Sequence, residues 1–373
     1  MSDRREFLLQ TAATTVAAAS ALKLTPCAAT ESLSAGMTKT YRIPNTNLTV
    51  SCIAYGCGAL AAWDHKPVDS DERSRADGLI HTAYEHGINF FDHADLYAFG
   101  KSESVFGEVL KASPGLRQKI VIQSKCGQVF PPGWSDGKPI RVYLTREHIV
   151  TAAEGSLKRL NTDYLDILLL HAPSALVRPD EVADAFDILN RSGKVRYFGV
   201  SNHTAAQIQL LKKAVKQPIV ANQIHLGLGH PDALTDGIEV TAALAQAAAA
   251  IEGFMSISGA GTIDYCRLQD IQIQAWSPLR GGLLNPTADS SPQIKDVAQK
   301  LGEFATTKRT NPAAVALAWL LHHPASIVPI TGPVNPRHII ENCAAESVIL
   351  SDDEWYDLLA AATDLKSRLP RGA

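Results

Sequence analysis

From about residue 50 onward, short apolar runs alternate with amphipathic stripes of helical period. The apolar runs fall at 50–55, 88–91, 119–124, 164–170, 194–200, 219–224, 271–275 and 326–330. They are short, rich in Val, Ile and Leu, and nearly continuous, as strands of a parallel sheet covered on both faces are. Between them, Leu79, Ile80, Ala83 and Tyr84 form a stripe ending at Gly87. Ile149, Val150, Ala153, Leu157 and Leu160 form a second, and Val182, Ala185, Phe186 and Leu189 a third that ends at Gly193. Glycine just past the last periodic residue is a common helix stop. Eight strand–helix units over about 300 residues predict an α/β fold closed as a (β/α)8 TIM barrel. An open doubly wound sheet competes, because Gly56-Cys57-Gly58-Ala59-Leu60-Ala61 matches a dinucleotide fingerprint directly after a strand. Trp63-Asp64-His65-Lys66-Pro67 follows where that fingerprint requires a helix, so the glycines are read as a turn that lets backbone approach a ligand.

Three segments break the rhythm. Residues 41–50, with Pro44-Asn45-Thr46-Asn47 at their centre, predict a β-hairpin ahead of the first barrel strand. Residues 238–260 carry Ala245-Gln246-Ala247-Ala248-Ala249-Ala250 and then Gly/Ser-rich sequence, an Ala-rich insertion. Residues 1–36 read as a twin-arginine export leader: Arg4-Arg5 precede a mild Ala/Thr stretch, and Cys27-Ala28-Ala29 places small residues at a cleavage site. The domain division is therefore a leader over 1–36 and a barrel over 37–373, delivered by the twin-arginine machinery to the periplasm or beyond. A disordered tail on a cytoplasmic enzyme is the alternative.

Composition narrows the partners. The 35 Lys and Arg against 38 Asp and Glu leave a net charge of −3 with no basic block, which argues against nucleic acid. No stretch of about 20 residues is apolar enough to predict a membrane span in the mature chain. Beyond the leader, Cys52, Cys57, Cys126, Cys266 and Cys343 are odd in number and irregular in spacing, fitting neither a disulfide framework nor a zinc site. No metal is expected.

Candidate chemistry collects at the C-terminal strand ends, where barrels of this type carry their sites. Strand 2 runs into Asp92-His93-Ala94-Asp95-Leu96-Tyr97, strand 3 into Lys125 and strand 4 into His171. Strand 5 ends in Ser201-Asn202-His203, strand 6 in Gln223, strand 7 in Trp276-Ser277-Pro278 and strand 8 in Thr331-Gly332. Asp, Tyr, Lys and His on neighbouring strands around one mouth are hard to ascribe to packing. Trp63, His93, Phe130, Trp134 and Tyr143 are candidate pocket residues, with core and surface roles equally open.

Taken together, Gly87-Ile-Asn-Phe-Phe-Asp92-His-Ala-Asp-Leu-Tyr97, Ser124-Lys125, Leu-Leu-Leu-His171, Gly199-Val-Ser-Asn202 and Asn222-Gln223 resemble the aldo-keto reductase superfamily. They are most similar to its bacterial oxidoreductases of the YdhF type. The resemblance covers residues 40–363 and implies a catalytic tetrad of Asp92, Tyr97, Lys125 and His171. It also implies an NADP cofactor, with NAD left open, and a small carbonyl substrate reduced to the alcohol. In that scheme Ser201, Asn202 and Gln223 hold the nicotinamide carboxamide and Trp276 stacks on the ring. Ser277, Leu279, Arg280 and Gly281 line the pyrophosphate; Gly332, Asn335, Arg337, His338, Glu341 and Asn342 serve the adenosine end. There the family often has Arg where this chain has His338, and Lys where it has Gly332.

The chemistry needs such a set. Tyrosine is a weak acid near neutrality, with a reference pKa of about 10. A Lys125 ammonium is expected to lower the Tyr97 pKa, Asp92 to hold Lys125 charged, and His171 to orient the carbonyl oxygen. Two other readings stay open at this point: a cofactor-binding redox sensor without turnover, and a Schiff-base aldolase or lyase using Lys125 as nucleophile.

Overall fold

Strand parity decides which side chains the barrel presents to its lumen. The computed structural model describes residues 39–131, 139–235, 261–279 and 282–363. The chain begins with an antiparallel pair, β1 (Thr40–Arg42) and β2 (Thr49–Ser51). The barrel strands follow as β3 (Ala54–Gly56), β4 (Phe90–Asp92), β5 (Val121–Cys126), β8 (Leu165–Leu170), β9 (Val195–Ser201), β10 (Ile219–His225), β11 (Gln272–Trp276) and β12 (Val328–Thr331). They pair in parallel, in that order, and β12 closes onto β3. A short antiparallel ribbon, β6 (Gln128–Val129) with β7 (Arg141–Val142), rises from the end of β5; the sequence pattern gave no sign of it.

Helices pack outside the strands. Those that position the site are α1 (Ser70–Glu85), α2 (Lys101–Ala112), α3 (Arg146–Leu160) and, further along, a helix at Pro336–Cys343 that follows β12. The start of α1 is fixed by a reciprocal capping box between Asp69 and Glu72, and α3 ends on Asn161 in the left-handed conformation. Among the described residues no helix is long and apolar enough to cross a membrane. The leader at 1–36 and the insertion at 238–260 lie outside the described residues.

One predicted strand is divided. The run at 50–55 splits at Ser51: its neighbour Cys52 still donates to the Lys39 carbonyl of the hairpin (2.9 Å), while Ser51 gives its own backbone N–H to Asn89 Oδ1 (2.7 Å) and its hydroxyl to the Ile53 carbonyl (2.7 Å). Val50 therefore belongs to the hairpin. With Ile43 and Leu48 it packs on Ala54, Phe90, Val121, Ile167, Val328 and Ile330, sealing the lumen from the N-terminal end. The lumen thus has an apolar floor. On β4 and β5, two residues beyond Phe90 and Val121, the polar Asp92 and Gln123 take over, while β8 and β12 continue apolar with Leu169 and Ile330.

Candidate active site

Two-residue periodicity places Asp92 on β4 and Lys125 on β5 in the lumen near its mouth, and both are fully buried. The Lys125 ammonium donates to Asp92 Oδ2 (2.7 Å), to the His93 carbonyl (2.8 Å) and to Tyr97 Oη (3.0 Å). That uses all three of its hydrogens. Burial by itself would pull the Lys125 pKa down, but Asp92 and Tyr97 more than offset it and the net direction is up. Lys125 is held as an ammonium, which is the reverse of what imine formation requires. The expectation for Tyr97 needs correction. Burial raises its pKa more than Lys125 lowers it, and Asp92 adds to the rise, so the phenol is a weaker acid than an exposed tyrosine. His171 follows β8 and meets the Tyr97 ring edge-to-face, with centroids 6.0 Å apart. Burial, assisted by the Lys125 charge, holds its pKa well below the ordinary value, so it is neutral. Its buried Nδ1 has no hydrogen-bond partner among the described residues.

Tyr97 stands at a strained turn. Ala98 (φ 48°) and Phe99 (φ 59°) are both left-handed without being glycine, a conformation that persists only where the surroundings impose it. Gly100 (φ 86°) completes the turn and α2 begins. Behind it, Glu103 accepts from Ser124 Oγ (2.6 Å) and from Arg159 Nε (2.8 Å), tying α2 to β5 and α3.

Asp95 lies in the same segment with Oδ1 buried and without a partner among the described residues. Burial, with the Glu103 charge adding to it, pushes its carboxyl up to about 7. An unfolded Asp loses its proton near 3.8, so the folded chain retains a proton that the unfolded chain releases between those values. The carboxyl is therefore tolerated at low pH, and stability is lost as pH rises toward 7. Asp95→Asn is expected to be more stable than wild type at pH 8 by on the order of 2 kcal/mol, the difference vanishing near pH 4. Urea unfolding at pH 4, 6 and 8 checks this; a gain independent of pH would show that Asp95 is ionised in both states.

The residues assigned to the cofactor fall into two groups. Ser201, Asn202, Gln223, Trp276 and Ser277 end the adjacent strands β9, β10 and β11. Trp276 Nε1 donates to Asn202 Oδ1 (3.0 Å), Asn202 Nδ2 to Ser201 Oγ (3.2 Å), and Ser201 Oγ to the Gln223 carbonyl (2.9 Å). The His225 ring stacks on Trp276 at 4.0 Å and 10°. Asn202 and Ser277 are both left-handed. Gln223 departs from expectation, since its side-chain nitrogen is committed to Asp92 Oδ1 and Gln274 Oε1. The second group follows β12. A Cβ on Gly332 would lie 2.4 Å from the Gly56 carbonyl, so only glycine fits there. Asn335 caps the Pro336–Cys343 helix by accepting from the Arg337 N–H (3.0 Å). The Arg337 side chain pairs with Glu341 (2.8 Å), while Asn342 is buried. His338 is exposed on the same helix and Leu279 is half-buried. Arg280 and Gly281 lie outside the described residues.

Of the candidate pocket residues, Trp63 and Phe130 join Phe99 in an aromatic wall, with centroid distances of 5.5 to 6.4 Å. His65 stacks on Phe99 at 4.1 Å. His93 instead packs into the core against Phe106 (4.5 Å), where burial drives its pKa down to about 3. Tyr143 is largely exposed beside His148, and Trp134 lies outside the described residues. Sequence reasoning missed Phe99 and the buried Gln123 and Gln274. The latter two were findable, since each sits two residues before a lumen residue, Lys125 and Trp276.

An ammonium can only donate, so Tyr97 accepts from Lys125 and its own hydrogen points elsewhere. The mouth thus offers a directed phenol proton beside a neutral imidazole and an aromatic shelf. The Aldo/keto reductase family model matches residues 53–362. The oxidoreductase YcsN of Bacillus subtilis, named as uncharacterized, is 33% identical over 84% of this chain and 95% of its own length. Oxidoreductase YdhF of Escherichia coli is 34% identical over 76% and 87%, and the 6-dehydroglucose reductase of Agrobacterium fabrum 34% over 76% and 86%. The glycerol dehydrogenase structure from Gluconobacter oxydans shares the fold, with a TM-score of 0.71 over 87% of this chain and 96% of that one at 21% identity. This chain belongs to the aldo/keto reductase family and is an oxidoreductase with that family's (β/α)8 barrel.

Proposed function

We propose that the protein reduces an aldehyde or ketone to the alcohol, with NADPH as reductant and Tyr97 as proton donor. The observation that carries this reading is the three-way commitment of the Lys125 ammonium, which leaves the Tyr97 hydrogen for a substrate oxygen. Aldo-keto reductases use nicotinamide cofactors, and the bound group supplies the hydride. The residues present fit it. Trp276 offers a flat face whose edge is pinned by Asn202, and polar groups of Ser201 and Asn202 flank that shelf. Arg337 stands in the first turn of the Pro336–Cys343 helix, at the end where the helix dipole favours a phosphate.

The chain's own groups then carry the proton. Because burial keeps Tyr97 a weak acid, it gives its proton to a strongly basic acceptor such as the oxygen of a carbonyl being reduced. Lys125 is already in place, charged, to stabilise the phenolate left behind. His171, neutral and adjacent, orients the carbonyl oxygen. The test is turnover of Tyr97→Phe against aldehydes, simple ketones and keto sugars, the last included because two relatives are named 6-dehydroglucose reductases.

Preference for NADP is read through Arg337. Its partner Glu341 holds it in an exposed i,i+4 pair, an interaction weak enough to be exchanged for a 2′-phosphate. Arg337→Ala is expected to weaken NADPH binding about tenfold and to leave NADH nearly unchanged, as read by fluorescence titration. Equal weakening of both would remove Arg337 from the 2′-phosphate site. Export of the folded chain by the twin-arginine route is part of the same proposal, and a mature mass beginning near Thr30 is its signature.

A further inference from the structure

Between the apolar floor and the mouth, the lumen holds a layer that a barrel core does not need. Gln123, Gln223 and Gln274 are all essentially fully buried, as is Asp92. Asp92 and Gln123 are register partners on β4 and β5, and Gln223 and Gln274 on β10 and β11. The lumen of such barrels is filled mainly by Val, Ile and Leu. Here Gln123 is level with Ile167 and Gln274 with Val328, so apolar side chains fit at the same depth. Three amides placed there carry a desolvation cost that only complete hydrogen bonding offsets.

The bonding is complete on the nitrogen side, and Asp92 orders it. A carboxylate only accepts, so Gln123 and Gln223 must both present nitrogen to Asp92 Oδ1, at 2.7 and 3.0 Å. Their remaining hydrogens go to Gln274 Oε1, at 2.7 and 3.1 Å. Gln274 Nε2 then donates to Gln123 Oε1 (3.0 Å) and Gln272 Oε1 (3.4 Å). Every amide hydrogen of Gln123, Gln223 and Gln274 has an acceptor, and the orientation of all three amides follows from one negative charge.

The reverse also holds: the layer fixes the carboxylate. With Oδ1 saturated by two amides, Oδ2 is the oxygen left for Lys125. Lys125 in turn has no spare hydrogen, so a rotated or displaced Asp92 draws Nζ away from Tyr97. We infer that Gln123 and Gln274 are positioning residues for proton transfer: Gln123 by holding Asp92 directly, and Gln274 by holding Gln123 and Gln223 in their donating orientation. The inference rests on the proposed roles of Asp92, Lys125 and Tyr97.

The test uses Gln123→Met, Gln274→Met and the double variant, each close in volume and free of amide groups, with Gln272→Met as a control at the edge of the layer. In the full-length enzyme, the Gln123 and Gln274 variants are expected to lower kcat about tenfold, with KM and NADPH affinity within about twofold of wild type. The solvent deuterium isotope effect on kcat should rise and that of 4-deuterated NADPH should fall, because proton transfer becomes the slower event. Gln272→Met should change neither. The double variant removes both members of the reciprocal amide pair; should it not fold, Gln123→Met reads the same quantities in a chain lacking one amide. Wild-type kcat and isotope effects in Gln123→Met, or a loss of rate with isotope effects unmoved, would overturn the inference while an inactive Tyr97→Phe left the proposed function standing. A fully active Tyr97→Phe would instead remove the proton-donor reading itself.

Discussion

Replacing Tyr97 with Phe is expected to lower carbonyl reduction by about 10²- to 10⁴-fold, the usual contribution of a positioned general acid. The ring stays, resting against Gly58 and facing His171 edge-on, so the cofactor shelf formed by Trp276 and Asn202 is undisturbed. Nicotinamide nucleotide affinity should therefore match wild type. The variant does lose one acceptor of the Lys125 ammonium, and a buried donor left unsatisfied costs about 1–3 kcal/mol. The expected pattern is a folded, slightly less stable protein that binds NADPH and does not turn over. Stopped-flow oxidation of bound NADPH by excess aldehyde, beside a cofactor titration, separates these quantities. A wild-type rate constant would take Tyr97 out of the mechanism.

Lys125→Met is expected to have the second large effect, on activity and on stability together. It leaves Asp92 as a buried carboxylate with its Oδ2 unpaired, while Gln123 and Gln223 still donate to Oδ1. Breaking a buried ion pair from one side destabilises by about 3–5 kcal/mol, much of it the cost of the charge left behind. Turnover should fall as far as in Tyr97→Phe, because the phenolate formed on proton transfer loses its cation. The double variant Asp92→Asn with Lys125→Met removes both charges, and should recover most of the stability but none of the activity. Urea unfolding and turnover of the three chains decide this. A single variant within about 1 kcal/mol of wild type would mean that the buried Asp92–Lys125 pair contributes little to stability.

Tyr97 and Lys125 were legible from the sequence for different reasons. Lys125 stands at the C-terminal end of an apolar run, where barrels of this type carry their chemistry, and such a run is a local property that can be counted along the chain. Tyr97 lies in the loop after Asp92, where no periodicity speaks; the resemblance of Asp92-His-Ala-Asp-Leu-Tyr97 to a family motif identified it. Its acidity was misjudged on sequence grounds, since the Lys125 charge can be anticipated whereas the burial that outweighs it is a property of the assembled barrel. The hairpin boundary was missed similarly. The break at Ser51 depends on Asn89, 38 residues away, which takes the N–H that a continuous strand would have used.

By itself, the sequence determined the order and type of the elements, the closure into a barrel, and which residues end strands at the mouth. All of these follow from short-range periodicity and from the way apolar runs must be covered. The tertiary structure alone decided which polar groups meet. Gln123 and Gln274 are 151 residues apart, and their amide pair exists only because the closed sheet places β5 and β11 on one lumen. Lumen neighbours are set by barrel closure rather than chain distance, and a buried polar group's chemistry is set by those neighbours.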